Sequence, residues 1–436
     1  MMLSYKSGML ILLGILVFLS AACQLYQPVL GQTPAITEEV EDVQIDTTPT
    51  ISSLSVPGFA AFLEQVQGSQ RSERQGLVNL FTAKLESGPL IKDDQVVFLY
   101  RGEGYKVQLV GDMNNWNVEV APELSRVEGT DLWYYSELFK EDARLDYQFL
   151  VDDQSLVLDQ FNPNLSPGAT GPNSSLIMPN YQTPPEFLAS TKEILTGTLT
   201  THTIDSQHLN QTRTFFVYEP PGQIVGEQLP SVYINDGSDY LNIIDAPSIL
   251  DRLIAERLIP PIVAVFIPPL DRNFEYYSNE SYVRFLADEL APFIQGTYAT
   301  DPNPESTAIL GSSLGGNAAL FAAQKRPDTF GLVGSISAII EENVDPLINA
   351  YSQDIGGLQV ERQLPVHIRP YMVVGSYETD VEFDGTRKNI LSGNRALAQV
   401  LRDGGYNLVY EERSEGHSWG MWQAAFGQAL DNLFNR

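Results

Sequence analysis

Hydrophobic and polar residues change their period three times along the chain, and each change predicts a different kind of structure. Between Phe59 and Leu85 apolar residues fall at helical spacing (Phe62, Val66, Leu77, Leu80, Phe81), with a polar break from Gly68 to Gln75, so two short helices are expected. From Gln95 the period shortens to two in VVFLYR, YKVQLVGD, LWYYSEL and LDYQFLVD, with turn residues such as Asn114-Asn115 and Glu128-Gly129 between the runs. Short alternating strands separated by turns predict an antiparallel β-sandwich. Beyond Pro184-Pro185 the strand-like runs FFVYEP, SVYIND, PIVAVFIP, TAIL, LVGSIS, YMVVGS and NLVYEE alternate with longer helical stretches, among them Tyr282 to Tyr298 and Gly393 to Arg402. That alternation predicts an α/β sheet covered by helices on both faces.

The amino terminus follows neither pattern. Lys6, the apolar run Met9 to Leu19 and the small residues Ser20, Ala21 and Ala22 read as a signal peptide rather than a spanning helix. Cys23 follows them and is the sole cysteine, so no internal disulfide can form. Its place resembles a bacterial lipobox, which implies lipidation of Cys23 and a membrane anchor outside the cytoplasm. One acyl chain binds a bilayer with K on the order of 10⁴ M⁻¹, so stable anchoring needs several. From Gln24 to about Ser55 the Thr-, Pro- and acid-rich sequence AITEEVEDVQIDTTPT has little to bury and reads as a tether. The expected organisation is a lipoprotein signal peptide over 1–22, a tether over 23–55, a helical segment over 56–94, a sandwich over 95–182 and the α/β domain over 183–436.

Composition narrows the partners. At 436 residues and 43% hydrophobic, the chain can bury two ordinary cores. Its net charge of -29 comes from scattered acids, which argues against nucleic acid, since nothing is available to neutralise a run of phosphates. No His, Asp and Glu residues stand at metal-binding spacing and no glycine-rich phosphate loop is found, so the expected chemistry uses no metal and no cofactor.

One motif carries that chemistry. Gly311-Ser312-Ser313-Leu314-Gly315 follows the run Thr307 to Leu310 and opens the small-residue stretch Gly316 to Leu320, the strand-turn-helix setting of a G-x-S-x-G nucleophile elbow. Side chains at Gly311 and Gly315 would strike the neighbouring strand and helix, while the turn lifts the Ser313 hydroxyl toward substrate. A pattern fixed at three positions recurs by chance in roughly one chain in seven of this length, so its setting decides its meaning. The hydrolase order then demands an acid and, later, a histidine. Of four histidines, His417 lies in GHSWGMW, between the strand-like Leu408 to Glu412 and a terminal helix ending near Phe434, where it can face the elbow as general base. The acid is expected in the loop after the strand Tyr371 to Val374. Glu378, Asp380 and Asp384 all qualify there, each with the alternative of being a solvated loop carboxylate, and Glu378 is favoured because it follows the strand end most closely. The oxyanion donors are expected to be the backbone N–H groups of Leu314 and of Ser238, the latter in the turn Asp236-Gly237-Ser238.

Together GDMNNWN, DRNFEYYSN, FLADELAPFI, GSSLGGNAALFAAQKRPDTFG, VVGSYE and EGHSWGMW resemble the enterochelin esterase-like esterases, which are related to feruloyl and acetyl-xylan esterases, from Phe59 to the end of the chain. The resemblance implies an α/β-hydrolase preceded by an early-set β-sandwich similar to glycogen-binding modules. It also implies Ser313 and His417 as catalytic residues, Glu378 at the place of the acid, and an oxyanion site near Gly237-Ser238. Trp116 could stack on a sugar or aryl group or belong to the sandwich core. Arg272 matches a family segment near the active-site face, where it could hold an anionic substrate group or pair with Glu275. Trp419, beside His417, is the other candidate for substrate binding. Ser335-Ile336-Ser337-Ala338 stands where siderophore esterases typically continue with tryptophans, which argues against a catecholate siderophore. The expected function is hydrolysis of small acetyl, aryl or carbohydrate-linked esters through an acyl-enzyme. A siderophore esterase, an acyltransferase and a non-catalytic glycan-binding lipoprotein are the competing readings.

Overall fold

The computed structural model describes residues 58–85, 87–188, 194–222, 226–341, 347–349, 351 and 368–435; the signal peptide, Cys23 and the tether lie outside them. Helices α1 (Phe59–Gly68) and α2 (Arg71–Thr82) open the described chain. The second begins inside the stretch expected as a break. Its first residues are polar but good helix formers, and Arg74 and Gln75 reach back to the Glu128 carbonyl at 3.1 Å and the Asp131 carboxylate at 2.8 Å.

Nine strands follow: β1 (Leu90–Lys92), β2 (Gln95–Arg101), β3 (Val107–Gly111), β4 (Ser125–Arg126), β5 (Leu132–Leu138), β6 (Arg144–Val151), β7 (Ser155–Val157), β8 (Leu165–Ser166) and β9 (Asn173–Ile177). They form two antiparallel sheets, β1-β2-β5-β4 and β3-β6-β9-β8, with β7 beside β6. Val96, Phe98 and Trp133 of the first sheet meet Leu109, Leu145, Tyr147 and Phe149 of the second in one core. On the first sheet's other face Val97, Leu99 and Tyr134 pack against Phe59, Phe62 and Val78 of the two helices. Burial on both faces explains why β2 is a continuous apolar run instead of an alternating one.

The rest of the chain builds an eight-stranded sheet from β10 (Thr198–Ser206), β11 (Gln211–Glu219), β12 (Ser231–Asn235), β13 (Val263–Ile267), β14 (Thr307–Ser312), β15 (Leu332–Ile336), β16 (Arg369–Gly375) and β19 (Val409–Arg413). The hairpin β17 (Val381–Phe383) and β18 (Thr386–Lys388) stands apart from it. The order is β10-β11-β13-β12-β14-β15-β16-β19. From β13 to β19 every neighbouring pair is parallel. Strand β10 has no counterpart among the expected strands: its Thr, His and Asp residues give no apolar face at this edge of the sheet.

Between the strands run α3 (Gly237–Asn242), α4 (Ala246–Glu256), α5 (Arg272–Tyr276), α6 (Glu280–Arg284), α7 (Ala291–Thr297), α8 (Leu314–Lys325), α9 (Ile390–Asp403) and α10 (Trp419–Phe434). Alternate strand residues face two separate cores. Val232, Ile234, Phe266 and Leu310 pack with Leu250 of α4 and Phe426 and Leu430 of α10. Tyr233, Val265 and Ile309 pack with Leu290, Leu320 and Leu397 on the opposite face. All described residues belong to one compact unit, and none of their helices is long and apolar enough to cross a membrane. In such a sheet the loops beyond the carboxyl ends of the parallel strands form the crevice for ligands. These loops carry Asp236, Ser313, Glu378 and His417.

Candidate active site

Ser313 leaves β14 and caps α8 with φ 56° and ψ -128°, a conformation that costs a non-glycine residue on the order of 1–3 kcal/mol and needs the surroundings to enforce it. Its N–H donates to the Ile336 carbonyl at 2.8 Å. A Cβ on Gly311 would lie 2.3 Å from the Gly315 carbonyl oxygen, so the turn closes only with glycine there.

The structure brings three of the expected residues into one line of hydrogen bonds. His417 Nε2 lies 3.0 Å from Ser313 Oγ, and Nδ1 lies 2.8 Å from Glu378 Oε2. With a neutral imidazole, Nδ1–H donates to Glu378 and Nε2 accepts from the Ser313 hydroxyl. Glu378 is fully buried, and its other oxygen accepts from the Ser337 hydroxyl at 2.6 Å and the Gly375 N–H at 2.7 Å. The imidazole stands edge-on to the Trp422 ring at 5.0 Å.

The other acids of the loop go elsewhere. Asp380 accepts from Arg387 Nε at 2.6 Å with about half its side chain exposed. Asp384 sits in the tight turn between β17 and β18 at φ 54°. Ser337, which completes the Glu378 site, stands in the segment noted only for lacking tryptophans.

The two candidate oxyanion donors open adjacent helices. Leu314 is the first residue of α8 and Ser238 the second of α3, so neither N–H has an acceptor within its own helix. Asn235 ties their two turns together by donating to the Gly315 carbonyl at 2.9 Å. Gly237 is required between them, because a Cβ there would lie 2.2 Å from the Ile267 nitrogen.

Arg272 does not pair with Glu275. Its Nε and Nη2 donate to the two oxygens of Asp236 at 2.8 and 2.9 Å. Burial pushes the Asp236 carboxyl above its ordinary range against the pull of Arg272. Glu275 turns inward and accepts from buried Arg213 at 2.8 and 3.0 Å. Both residues sit on one short helix, but they project to different sides of it. Trp419 packs edge-on to Trp422 at 4.7 Å and to Tyr240 at 5.8 Å, which makes an aromatic wall behind His417. Trp116 is half-buried, with its indole N–H held by Asp112 at 2.9 Å. Among the described residues no group of His, Cys, Asp or Glu is arranged to hold a metal ion.

A largely parallel sheet with a serine elbow after a central strand and a histidine beyond the last one is the arrangement of the α/β-hydrolase type. Residues 206–433 match the family model described as "Putative esterase", and the chain belongs to this family. An uncharacterized protein of Bacillus subtilis is 27% identical over 245 residues, which is 54% of this chain and 98% of that protein. The endo-1,4-beta-xylanase/feruloyl esterase of Xylanibacter ruminicola is 28% identical over 236 residues, which is 50% of this chain and 32% of that enzyme. The iron(III) enterobactin esterase of Escherichia coli O6:H1 is 23% identical over 345 residues, which is 71% of this chain and 81% of that one. Ferric enterobactin esterase from Salmonella typhimurium shares the fold, with a TM-score of 0.65 at 19% identity over 79% of this chain and 94% of that structure.

Proposed function

We propose that this esterase is a serine carboxylic-ester hydrolase. Ser313 attacks the ester carbonyl, and His417 takes the hydroxyl proton and passes it to the departing alcohol. Glu378 holds the imidazole tautomer and stabilises its cation. The negative oxygen of the tetrahedral intermediate is met by the N–H groups of Leu314 and Ser238. Water, deprotonated by the same histidine, then releases the acid and restores Ser313. The observation that carries this reading is the unbroken line Ser313, His417, Glu378 at 3.0 and 2.8 Å.

The substrates proposed are small acetyl or aryl esters, including esters linked to carbohydrate, as the name of the Xylanibacter relative suggests. Arg272 is neutralised by Asp236, and the net charge of -29 repels polyanions at long range. A catecholate siderophore ester is the second reading, favoured by the alignment of the enterobactin esterase relative over 71% of this chain. The two antiparallel sheets, which but for β1 lie within residues 95–182, are read as an early-set domain similar to glycogen-binding modules. The enzyme is placed on the outer side of a membrane by a lipid on Cys23 and the tether that follows.

Turnover of p-nitrophenyl acetate by wild type and Ser313→Ala tests the mechanism. A folded variant with activity lower by about 10⁶ is expected, and retention of more than a tenth of the activity would sink it. Comparing kcat/KM for acetyl, feruloyl and ferric catecholate esters then decides the substrate class. Faster cleavage of the siderophore would overturn the neutral-ester reading alone.

A further inference from the structure

The loop that carries His417 is held from outside the hydrolase sheet. Arg144, at the start of β6, donates its backbone N–H to the Ser414 carbonyl at 3.0 Å. Its guanidinium reaches Glu415 Oε2 at 3.3 Å and Asp146 Oδ1 at 3.2 Å. Asp112, in the turn after β3, accepts on one oxygen from the Ser418 hydroxyl at 3.2 Å and the Asp146 N–H at 2.8 Å. Its other oxygen accepts from the Trp116 indole at 2.9 Å. Gly416 lies flat on this carboxyl: a Cβ there would be 2.4 Å from the Asp112 Cβ. Residues 414, 415, 416 and 418, which surround His417 on both sides, therefore each meet Arg144 or Asp112. The same turn also touches the loop after Glu378, where the Asn115 carbonyl accepts from Arg387 Nη2 at 3.2 Å.

A buried carboxyl is a poor adhesive between two layers, since a well-packed apolar pair would hold them at least as well. What it supplies is direction. We propose that Asp112 is a positioning residue for His417, fixing Ser418 and Gly416 on either side of the imidazole and so setting where Nε2 meets Ser313. The inference rests on the catalytic reading of His417 given above. Displacement of a reacting group by about 1 Å can cost on the order of 10²-fold in rate, and the loop has its neighbours pinned on the side from which Asp112 comes. Burial and the adjacent Asp146 push the Asp112 carboxyl up to about 8, against the hydrogen bonds it accepts from the Asp146 N–H and the Trp116 indole. Asparagine, of the same shape and with one carbonyl oxygen, is its closest substitute.

The test uses the full chain with Asp112→Ala, Asp112→Asn, Ser418→Ala and His417→Ala. kcat and KM are measured separately on p-nitrophenyl acetate, and a fluorophosphonate measures the rate of Ser313 labelling. Asp112→Ala is expected to lower kcat and the labelling rate by about 10- to 100-fold with KM within about twofold. Asp112→Asn should keep kcat within about threefold, because its amide oxygen can accept from both Ser418 and Asp146 and only the Trp116 indole N–H, on the other oxygen, loses its acceptor. A folded Asp112→Ala enzyme with kcat within about twofold of wild type, or equal losses for Ala and Asn, overturns the proposal. If Asp112→Ala does not fold, Ser418→Ala decides: a fall in kcat supports the role and an unchanged kcat overturns it. His417→Ala separates the two levels. Activity surviving in that variant defeats the catalytic reading itself, whereas its loss beside a fully active Asp112→Ala defeats only the positioning.

Discussion

The Ser337 hydroxyl donates to Glu378 Oε1 at 2.6 Å, at the end of a strand 41 residues upstream of the acid it holds. With the Gly375 N–H on the same oxygen, this bond leaves Oε2 free to face His417. Ser337→Ala removes one of the three donors from a buried carboxylate, a loss of about 1–3 kcal/mol. Urea denaturation should show that drop, and kcat should fall about tenfold as the acid gains freedom. Unchanged kcat would mean that Gly375 alone orients the carboxylate.

Glu378→Gln should cost about 10⁴ in kcat, because an amide cannot hold the imidazole in the tautomer that accepts from Ser313. Asp380→Asn and Asp384→Asn should each stay within about threefold, since an exposed pair such as Asp380–Arg387 is worth at most about 1 kcal/mol. Parallel kcat measurements check this, and a greater loss at either aspartate would reassign the acid.

Stability should depend on pH through the seam between the antiparallel sheets and the hydrolase. Burial raises Asp112 to about 8 and Glu415 to about 6 in the folded protein, whereas unfolded carboxyls titrate near 4. The folded state thus binds extra protons between these limits, and that stabilisation is present at low pH and lost as pH rises through about 6 and then about 8. Asp112→Asn abolishes the later loss. Its Tm relative to wild type should therefore climb between about pH 4 and about pH 8 and level off above, and parallel Tm curves would contradict the assignment. The groups facing Asp112 are Asp146, Arg144, Trp116 and Ser418, with Glu415 beyond Arg144.

Cys23→Ser should move the protein from the membrane fraction to the soluble periplasmic or culture fraction, because the acyl chains would have no attachment point. Fractionation followed by immunoblotting reads this directly. Membrane association that survives the substitution would count against the lipid anchor.

The parts of the site legible in the sequence are those with local signatures. The elbow declares itself within five residues, and His417 and Glu378 follow strand ends whose apolar runs are plain. Their supports were hidden because they join distant residues: Ser337 lies 41 positions from Glu378, and Ser418 lies 306 from Asp112. Proximity in sequence also misled, since Arg272 and Glu275 find partners 36 and 62 residues away rather than each other. Strand β10 escaped for the converse reason, because its residues pair by backbone along an edge and carry no apolar signal.

The contact of Gly416 with Asp112 leaves no room for even a methyl group. Neither side of that seam can drift alone: a larger residue at 416 would demand retreat of the turn at 112, and that retreat would release Ser418 and Trp116. Recombining this hydrolase sheet with antiparallel sheets of another shape at residue 112 would leave the Ser313 elbow intact while shifting the residues on either side of His417.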